Sequence, residues 1–446
     1  MSLLQFTTDP NEYPISHVAK NEWLSFAMYT VESRAIPNMI DGLKPVQRFY
    51  LYSSILNSKR DFKKVSAVAG IISDYGYNHG EASAAGAGQL MAATWNNNVC
   101  LVEGRGSFGT RLVQDAGAAR YVYTRLHDNF NKYISDVDLA PAHEDPEHEP
   151  PSFYLPVIPL VLANGTKGIA TGFATNILPR SVNDLSASVR EYLLSGNITK
   201  RLPVSFTDFI GRVDYDSVEG RHVVYGKYHK KTKTQMMITE VPYGFDRESY
   251  VKILDKLEDE GDIVSYEDQC DKDGFNFEIK LKQNTSANWN DTKIISKFKL
   301  SKPLTENLTV IDQDGKLREY DDERQLIKDF VDYRLGILQQ RIEKRKEEAN
   351  EAVRWLNVKM EFIQSVLDDN IVFKNRKKKD VTDQILNVTS ALPEDADRLL
   401  RINIMSLTDE MVRELTKEIR SAQAELKFWT KTTPQLQFES DLEGIN

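Results

Sequence analysis

The sequence predicts an α+β protein of several domains, because three different patterns follow one another along it. Two helix-sized segments joined by a glycine-rich turn come first, short β-branched runs alternating with helical segments come next, and a long heptad-like pattern comes last. The chain has 446 residues, enough for two to four domains at roughly 100–200 residues each. We therefore expect a helix-turn-helix module, a mixed α/β domain and a long antiparallel coiled coil.

The first module is predicted from its spacing. Lys63–Tyr75 and Glu81–Trp95 have the length of helices, and the turn between them contains two glycines. A strand is predicted at Val99–Val102, followed by a glycine loop at 103–109 and then a second passage through Tyr121, which is either strand-like or a loop. A helix-turn-helix followed by a hairpin is typical of a winged helix. The small-residue face of the second helix allows another interpretation, in which it packs on a neighbouring helix.

The middle of the chain predicts strands that alternate with helices. Strand-like runs are HVVYGKY, TQMMITEVP, NFEIKLK and LTVID, and a helix is predicted at Arg247–Glu260. Alternation of these two periods indicates a mixed α/β domain.

The last part of the chain predicts two long helices. Apolar residues recur at steps of three and four from Val331 to Leu367, and again from Met411 to Trp429, where Ser406 and Asp409 form a plausible capping pair. The insert at about 372–405 is expected to form a small globule, whose basic run we interpret as a solvated face. The expected domains are an N-terminal arm at 1–23, the winged helix at 24–155, the mixed domain at 156–320 and the coil at 321–446.

Composition excludes several classes of protein. No apolar run reaches the roughly 18–20 residues that a membrane helix needs, and the N-terminus lacks a secretory signal. Two distant cysteines form no disulfide framework or zinc site, so we expect a cytoplasmic protein. The net charge is −9, yet residues 30–130 contain eleven basic and eight acidic side chains. Because local field attracts phosphate, this module can still bind DNA.

Two motifs in the sequence match the patterns of known binding sites only in part. Gly104-x-Gly106-x-x-Gly109 matches the dinucleotide pattern, but no amphipathic helix follows it, so a turn at the wing is the better interpretation. Asp271-x-Asp273-Gly274 resembles part of a calcium loop but lacks enough oxygen ligands, which favours a tight turn.

The pair Arg120-Tyr121, followed by Tyr123 and Arg125, is the candidate for chemistry. A phenol has a pKa near 10 and is a poor nucleophile at neutral pH. Guanidinium groups beside it favour the phenolate and neutralise a phosphate under attack. Attack on a phosphodiester would give a phosphotyrosine and conserve the bond energy needed for resealing.

Several motifs, in the same order along the chain, resemble those of the type IIA topoisomerase breakage-reunion protein, in the gyrase A and topoisomerase IV A family. They are RAIP at 34–37, DGLKPVQR at 41–48, HG at 79–80, EGRGSFG at 103–109, AARY at 118–121 and NGTKGIATGFATNI at 164–177. The resemblance runs from about residue 22 to 430, and AMYTVESRAIPNMIDGLKPVQRF is most similar to bacteriophage members. It implies a winged-helix domain, a tower domain and a coiled-coil arm that ends in an exit gate.

The resemblance implies roles for individual residues. Tyr121 would become linked to the 5′ phosphate of a cut strand, and Arg120 would stabilise the phosphate under attack. The side chains expected to contact DNA are Arg34, Lys44, Arg48, His79, Arg125 and Ile177. The isoleucine among them would wedge between base pairs and bend the duplex. Gln47, Phe49 and Tyr77 replace basic residues of the family.

The resemblance also implies partners and cofactors. Phosphoryl transfer needs metal ions, but the sequence has neither an ATP-site motif nor a toprim-like acidic cluster. We therefore expect Mg²⁺ and ATP to be bound by an ATPase/toprim partner subunit, and no metal by this chain. The chain would act on double-stranded DNA as a homodimer, through the coil and the winged-helix region. Without a gyrase-type wrapping domain, relaxation or decatenation is expected rather than supercoiling.

One other function stays open on the sequence, and a further one is disfavoured by it. A non-catalytic winged-helix dimer would bind DNA in a salt-dependent way without forming a covalent product. A relaxase or recombinase would also use a tyrosine, but the seven scattered histidines do not supply the metal cluster of a relaxase.

Overall fold

A computed structural model of the chain describes residues 18–403 and 408–445. Most of the predicted N-terminal arm (residues 1–17) and the predicted cap at Ser406 lie outside the described residues. The described residues up to Arg334, with those from Asp441, form one compact unit, and Leu335–Ser440 form a second.

The first unit contains helices in both segments, 63–75 and 81–95, where the sequence predicts them. Its elements are α1 Leu24–Thr30, flanked by π-helical turns Val18–Trp23 and Val31–Ala35, then α2 Pro45–Asn57, β1 Lys63–Lys64, α3 Val65–Gly70, a 3₁₀ turn Ile72–Tyr75, α4 Glu81–Ala92, β2 Val102–Arg105 and β3 Tyr123–Leu126. Proline at the first position of α2 suits a helix start, where its missing N–H costs nothing. Gly76 ends the 3₁₀ turn at φ +98°, a conformation that glycine adopts without strain.

The three strands form an antiparallel sheet in the order β1-β3-β2, next to the two helices. The predicted hairpin exists, but its strands lie later in the chain than predicted. Val99 is buried without belonging to a strand, because Asn164 satisfies its backbone. The Asn164 Oδ1 accepts from the Val99 N–H at 2.7 Å, and its Nδ2 donates to the Val99 carbonyl at 2.8 Å. Tyr121 lies in a turn before β3 rather than in a strand.

The next segment closes against this module. It contains α5 Asn129–Tyr133, β4 Ile134–Ser135, β5 Leu155–Pro156, α6 Leu160–Asn164, β6 Thr166–Ile169, β7 Ala174–Ile177 and α7 Val182–Ser195. Strands β4 and β5 pair across the predicted domain boundary at 155, and β6 and β7 form an antiparallel hairpin.

A strand-rich segment follows, which confirms the predicted mixture of helices and sheets. Its elements are β8 Arg212–Asp216, β9 Arg221–Tyr225, β10 Lys227–Lys230, β11 Gln235–Glu240, α8 Arg247–Asp259, β12 Ile263–Asp268, β13 Phe277–Leu281, α9 Asp291–Lys297, β14 Ser301–Leu304, β15 Leu308–Ile311 and β16 Leu317–Tyr320. The sheets have the orders β10-β11-β13-β12, β14-β9-β8 and β15-β16. Tyr250 and Leu254 of α8 are buried in a core with Phe277 of β13. The motif Asp271-x-Asp273-Gly274 forms a tight turn, as predicted. The Gly274 N–H donates to the Asp271 carbonyl at 3.1 Å.

The long helices predicted from periodicity are present. They are α10 Glu323–Leu367, α11 Lys378–Val388, α12 Pro393–Leu399, α13 Asp409–Lys431 and α14 Pro434–Ile445. In the second unit, Phe362 and Ile363 of α10 share a buried core with Ile385, Leu399 and Leu415 from the next three helices. The Thr408 hydroxyl caps α13 by accepting from the Met411 N–H at 3.3 Å.

Two glycines of α4 should respond to alanine in opposite ways. A Cβ at Gly88 would lie 2.2 Å from the Tyr50 ring, which cannot move aside because it is buried and hydrogen-bonds Thr124 at 2.6 Å. Gly88→Ala should therefore lower the free energy of unfolding by about 1–3 kcal/mol. A Cβ at Gly86 meets nothing within 4 Å, so Gly86→Ala should raise it by roughly 0.5–1 kcal/mol. Urea unfolding of both variants measures the difference, and equal effects would contradict this packing.

Candidate active site

The side chain of Tyr121 stands out from the surface of the first unit. It is 69% exposed and belongs to a tight turn, in which its N–H donates to the Ala118 carbonyl at 2.8 Å. A phenol on such a turn can be reached by a macromolecular substrate.

The turn is attached to the start of α3 by backbone hydrogen bonds. The Val65 N–H donates to the Val122 carbonyl at 3.0 Å, and the Ser66 N–H donates to the Ala119 carbonyl at 3.2 Å. The first N–H groups of a helix have no partner inside the helix, so these carbonyls satisfy two of them. Because residues 119 and 122 are bound to the helix, the two residues between them form the outward part of the turn.

The other end of the turn is fixed by the glycine loop and by α4. The Gly117 N–H donates to the Ser107 carbonyl at 2.9 Å, and the Gln89 side chain donates to the Gly117 carbonyl at 2.6 Å. Gly109 has φ +79°, and a Cβ there would lie 2.6 Å from the Gln114 carbonyl oxygen. The last glycine of the GxGxxG motif therefore serves a close backbone approach in the loop that follows β2.

One cationic group lies against the ring of Tyr121, and two more flank Tyr123 on β3. The Arg120 guanidinium carbon lies 4.7 Å from the centre of the Tyr121 ring, and Arg120 is exposed. On β3, Tyr123 is paired with Lys64 on one side and Arg105 on the other. Since directly paired residues share a face of a sheet, both cations lie on the same face as Tyr123.

Arg125 lies on the sheet with its charge already paired. Its Nε donates to the Glu103 carboxylate at 2.7 Å, and its guanidinium lies 4.7 Å from the Phe62 ring centre. The hydrogen bond to Glu103 raises the pKa of Arg125. The side chain is about one third exposed, so any phosphate would compete with Glu103 for it.

Arg34 and His79, which lie 45 residues apart in sequence, meet in the structure. Arg34 Nη2 lies 3.1 Å from His79 Nδ1, and the Tyr29 hydroxyl lies 2.8 Å from His79 Nε2. Guanidinium can only donate, so Nδ1 accepts and the proton belongs on Nε2. Burial and the Arg34 charge lower the pKa of His79. His79 is therefore a neutral hydrogen-bonding group at pH 7, while Arg34 carries the charge.

Arg48 does not lie on the surface, which argues against its predicted DNA contact. It is buried and binds Asp41 through Nε at 2.7 Å and Nη2 at 3.2 Å, and it donates to the Leu43 carbonyl at 2.8 Å. A buried charge needs such a partner. Lys44, by contrast, is only half-buried, and its Nζ donates to the Lys167 carbonyl at 2.6 Å. Burial lowers the pKa of Lys44.

The prediction that Ile177 is a wedge is wrong, because its side chain is only 2% exposed. Ile169, next to the tip of the same β6–β7 hairpin, is 89% exposed. The register pairs Ile169 with Ala174 and Thr166 with Ile177. Side chains alternate along a strand, so the two isoleucines lie on opposite faces of the hairpin.

The hairpin is anchored to the strand-rich segment. Asn176 and Asn307 exchange two backbone hydrogen bonds at 3.0 Å. Glu306 accepts from both terminal nitrogens of the buried Arg180, at 2.6 and 2.7 Å, and from the Leu178 N–H at 2.9 Å. Burial alone would raise the pKa of Glu306, but the hydrogen bonds from Arg180 and the nearby His222 ring, whose Nε2 lies 3.6 Å from the carboxylate, outweigh it and lower the pKa to about 2.

Sequence reasoning missed Ile169 and the Glu306 anchor for different reasons. Side chains alternate between the two faces of a strand along Thr166–Ile169. That alternation places Ile169 on the face opposite Ile177 once the hairpin register is known. The partners of Glu306 lie more than 80 residues away along the chain, and nothing local marks them.

The described residues hold no metal centre. No three His, Cys, Asp or Glu side chains among them cluster so as to bind an ion. None of the described helices has the length and apolar character needed to cross a bilayer.

The chain matches the family model for DNA gyrase A and topoisomerase IV A over residues 34–442. It is 41% identical to the DNA topoisomerase medium subunit of Enterobacteria phage T4, over 98% of this chain and 99% of that protein. Both findings confirm the resemblance inferred from the motifs.

More distant relatives are eukaryotic enzymes. The chain is 27% identical to DNA topoisomerase 2 of Plasmodium falciparum, over 95% of this chain but only 34% of the relative. The crystal structure of the DNA-binding, cleavage and re-ligation domain of a P. falciparum topoisomerase II has a TM-score of 0.84 at 26% identity, and the match covers 95% of this chain and 63% of that one. The chain thus spans about a third of the eukaryotic relatives.

The ionised carboxylate of Glu306 should make the free energy of unfolding depend on pH in the acid range. A carboxyl whose pKa falls from 4.5 to about 2 on folding contributes roughly 3 kcal/mol above pH 4.5, which is lost as the pH falls toward 2. Glu306→Gln should therefore be less stable than the wild type at pH 7, and the gap should narrow between pH 4.5 and 2. Unfolding at several pH values measures this, with the exposed Glu258→Gln as control. A constant gap would contradict the ionised anchor.

Proposed function

The chain belongs to the family of DNA gyrase A and topoisomerase IV A and is a type II DNA topoisomerase subunit, and on that premise we propose how it breaks and reseals DNA. It makes a transient double-strand break through 5′-phosphotyrosyl links, and a second duplex passes through the break. The observation that carries this proposal is the exposed phenol of Tyr121, held beside Arg120 on a turn fixed to the helix-turn-helix.

The chemistry is a reversible transfer of a phosphoryl group. The Tyr121 oxygen loses its proton and attacks a backbone phosphorus, forming a phosphotyrosine while the bond to the 3′ oxygen breaks and that oxygen takes up a proton. The reverse attack by the 3′ hydroxyl reseals the strand. Arg120 stabilises the charge that develops on the phosphate oxygens, because guanidinium donates in a fork that matches phosphate.

Exposed cations beside the site would hold the DNA strand in place. Lys64 and Arg105 share a sheet face with Tyr123, and Arg34 is exposed next to His79. Lysine and arginine contacts to phosphates supply much of the affinity for DNA and fix its register. Arg48, buried against Asp41, supports the fold instead.

Ile169 is the residue that we propose wedges between base pairs. It is the most exposed large apolar side chain of the β6–β7 hairpin, which is anchored at its base by Asn307 and Glu306. Apolar wedges unstack a base step at a cost of a few kcal/mol and bend the duplex over more protein surface. Because its base is anchored, the hairpin can hold Ile169 in place while the base step is unstacked.

A double-strand break needs one nucleophile for each strand, so two copies of the chain would act together. The second unit offers a surface for self-association. Among its described residues, the insert between α10 and α13 exposes the large apolar side chains Val372, Phe373, Val388 and Leu392. Contiguous exposed apolar side chains mark interaction sites, and we propose that two copies of the chain meet through these four residues.

A partner subunit would supply Mg²⁺ and ATP hydrolysis, as the motifs of the family imply for a chain with neither an ATP-site motif nor a toprim-like acidic cluster in its sequence. The name of the T4 relative, a medium subunit, supports a multi-subunit enzyme. The expected reaction is relaxation or decatenation driven by ATP, with Mg²⁺ offsetting charge at the attacking and leaving oxygens.

Tyr121→Phe should abolish covalent DNA adducts. The variant keeps the ring but lacks the attacking oxygen, so mixing it with the partner subunit, Mg²⁺ and supercoiled plasmid should give no protein-linked DNA after denaturation. Tyr123→Phe is the matched control and should still give adducts, because Tyr123 lies on the sheet and not on the turn. Adducts from the first variant but not the second would move the nucleophile to Tyr123, and adducts from neither wild type nor control would favour a non-catalytic DNA-binding protein.

Alanine substitutions at the two isoleucines of the hairpin should separate an effect on DNA bending from an effect on protein stability. Ile169→Ala removes an exposed side chain and should change the free energy of unfolding by less than about 0.5 kcal/mol, while reducing the bend measured by energy transfer between dyes at the ends of a bound duplex. Ile177→Ala empties a buried site and should lower the free energy of unfolding by about 2–5 kcal/mol. An unchanged bend in Ile169→Ala would contradict the wedge.

A further inference from the structure

A small loop on the path from β2 to Tyr121 reaches into the strand-rich segment. The Thr110 N–H donates to the Val113 carbonyl at 2.7 Å, and the Thr110 hydroxyl accepts from the N–H groups of Leu112 and Val113 at 3.2 Å each. Because the loop is closed on itself between residues 110 and 113, its two middle residues, Arg111 and Leu112, form the tip. Both of them contact the strand-rich segment.

Arg111 makes its contact through the guanidinium. Its Nη2 donates to the Glu240 carboxylate of β11 at 2.8 Å and to the Val241 carbonyl at 3.4 Å. Glu240 is itself fixed, since it also accepts from the N–H groups of Val241 and Ile210, at 3.0 and 3.1 Å. Both side chains of the ion pair are more than nine-tenths buried, so neither of them is placed to contact DNA.

Three aromatic rings surround the same guanidinium. Its central carbon lies 4.8 Å from the ring centre of Tyr243, 5.4 Å from that of Phe209 and 5.5 Å from that of Phe275. Aromatic faces attract a cation at such distances. The rings therefore restrict the orientation of the guanidinium that binds Glu240.

The neighbouring residue of the tip adds two further contacts. The Leu112 carbonyl accepts from the Arg247 N–H at 3.0 Å, which is one of the N–H groups at the start of α8 that have no partner inside the helix. The Leu112 side chain packs against the core of the strand-rich segment. These contacts hold the backbone of the loop, while Arg111 provides its only ion pair to that segment among the described residues.

Stability alone does not account for an arginine at position 111. Its Nε and Nη1 are buried without a hydrogen-bond partner among the residues that the structure describes. Buried donors without partners cost free energy, and apolar side chains of similar volume in place of a buried ion pair often give an equally stable protein. What they would lack is the directional, charge-assisted bond to Glu240.

We propose that Arg111 is a positioning residue for DNA cleavage, whose bond to Glu240 fixes the loop, and with it Tyr121, relative to the strand-rich segment. This inference rests on the proposed function and adds a residue to it. The path to the nucleophile is short, because the Gly117 N–H donates to the Ser107 carbonyl at 2.9 Å and so closes residues 107–117 four residues before Tyr121. Arg111 acts by placing the phenolic oxygen and does not touch the phosphate.

The rate of adduct formation at saturating DNA, measured beside the affinity for duplex, tests this role in the full chain with the partner subunit and Mg²⁺. The double variant Arg111→Met/Glu240→Gln replaces the ion pair by neutral side chains of similar size. It should bind duplex as the wild type does and form adducts about 100-fold more slowly, the effect of displacing a reacting atom by about 1 Å. Arg111→Lys keeps the charge but not the planar group and should be about 10-fold slower, also with unchanged affinity.

Arg247→Gln is the matched control for the loss of an arginine beside the loop. It removes a half-exposed guanidinium that pairs with Asp268 at 2.7 Å, but it keeps the backbone N–H that binds Leu112. Its adduct rate should equal that of the wild type. Thermal melting of every variant shows whether it is folded at the assay temperature, and if the double variant is not, Arg111→Lys decides the test.

The outcomes separate this inference from the proposed function. A wild-type adduct rate in folded Arg111→Met/Glu240→Gln, or in Arg111→Lys if the double variant is unfolded, would overturn the positioning role and leave Tyr121 as the nucleophile. Weaker DNA binding with an unchanged rate at saturation would overturn it as well, as would an equal loss of rate in Arg247→Gln. A wild-type chain that forms no adducts would overturn the proposed function itself.

Discussion

Two backbone hydrogen bonds, from Val65 to Val122 and from Ser66 to Ala119, determine where the candidate nucleophile lies. The start of a helix leaves N–H groups without partners, and here the active-site turn supplies them. The same bonds fix the turn to the helix-turn-helix and direct Tyr121 outward. A phenol attached to a flexible loop would lose entropy on every approach to a phosphate, and this one is already positioned. The catalytic proposal depends on this local constraint more than on any long-range feature.

Buried arginines of the first unit stabilise the fold, whereas its exposed cations are available to bind the substrate. Arg48 and Arg180 are buried against Asp41 and Glu306, where each pair satisfies a charge that could not stand alone. Arg120 and other cations on the surface keep their charge available to a phosphate. A chain with a net charge of −9 can therefore still present cations to DNA, because 58 of its 66 acidic residues lie outside residues 30–130.

Periodicity and turn chemistry predicted the helix-turn-helix, the mixed segment and the long helices, because those signals are local. The motif around Tyr121 predicted the candidate nucleophile, and the structure adds that it occupies a turn. The strand at Val99 was misplaced because its backbone bonds to Asn164, 65 residues later, which no local pattern reveals. Ile177 was predicted as the wedge from its motif, but the hairpin register places Ile177 on the buried face and Ile169 on the exposed face.

The identity of the residue that carries DNA in the trapped intermediate is the most direct test of the proposed chemistry. Wild-type chain would be mixed with its partner subunit, Mg²⁺ and duplex, denatured, digested with nuclease and protease, and examined by tandem mass spectrometry. We expect a nucleotide remnant on the phenolic oxygen of Tyr121. A remnant on any other side chain, with the Tyr121 peptide recovered unmodified, would contradict the proposal.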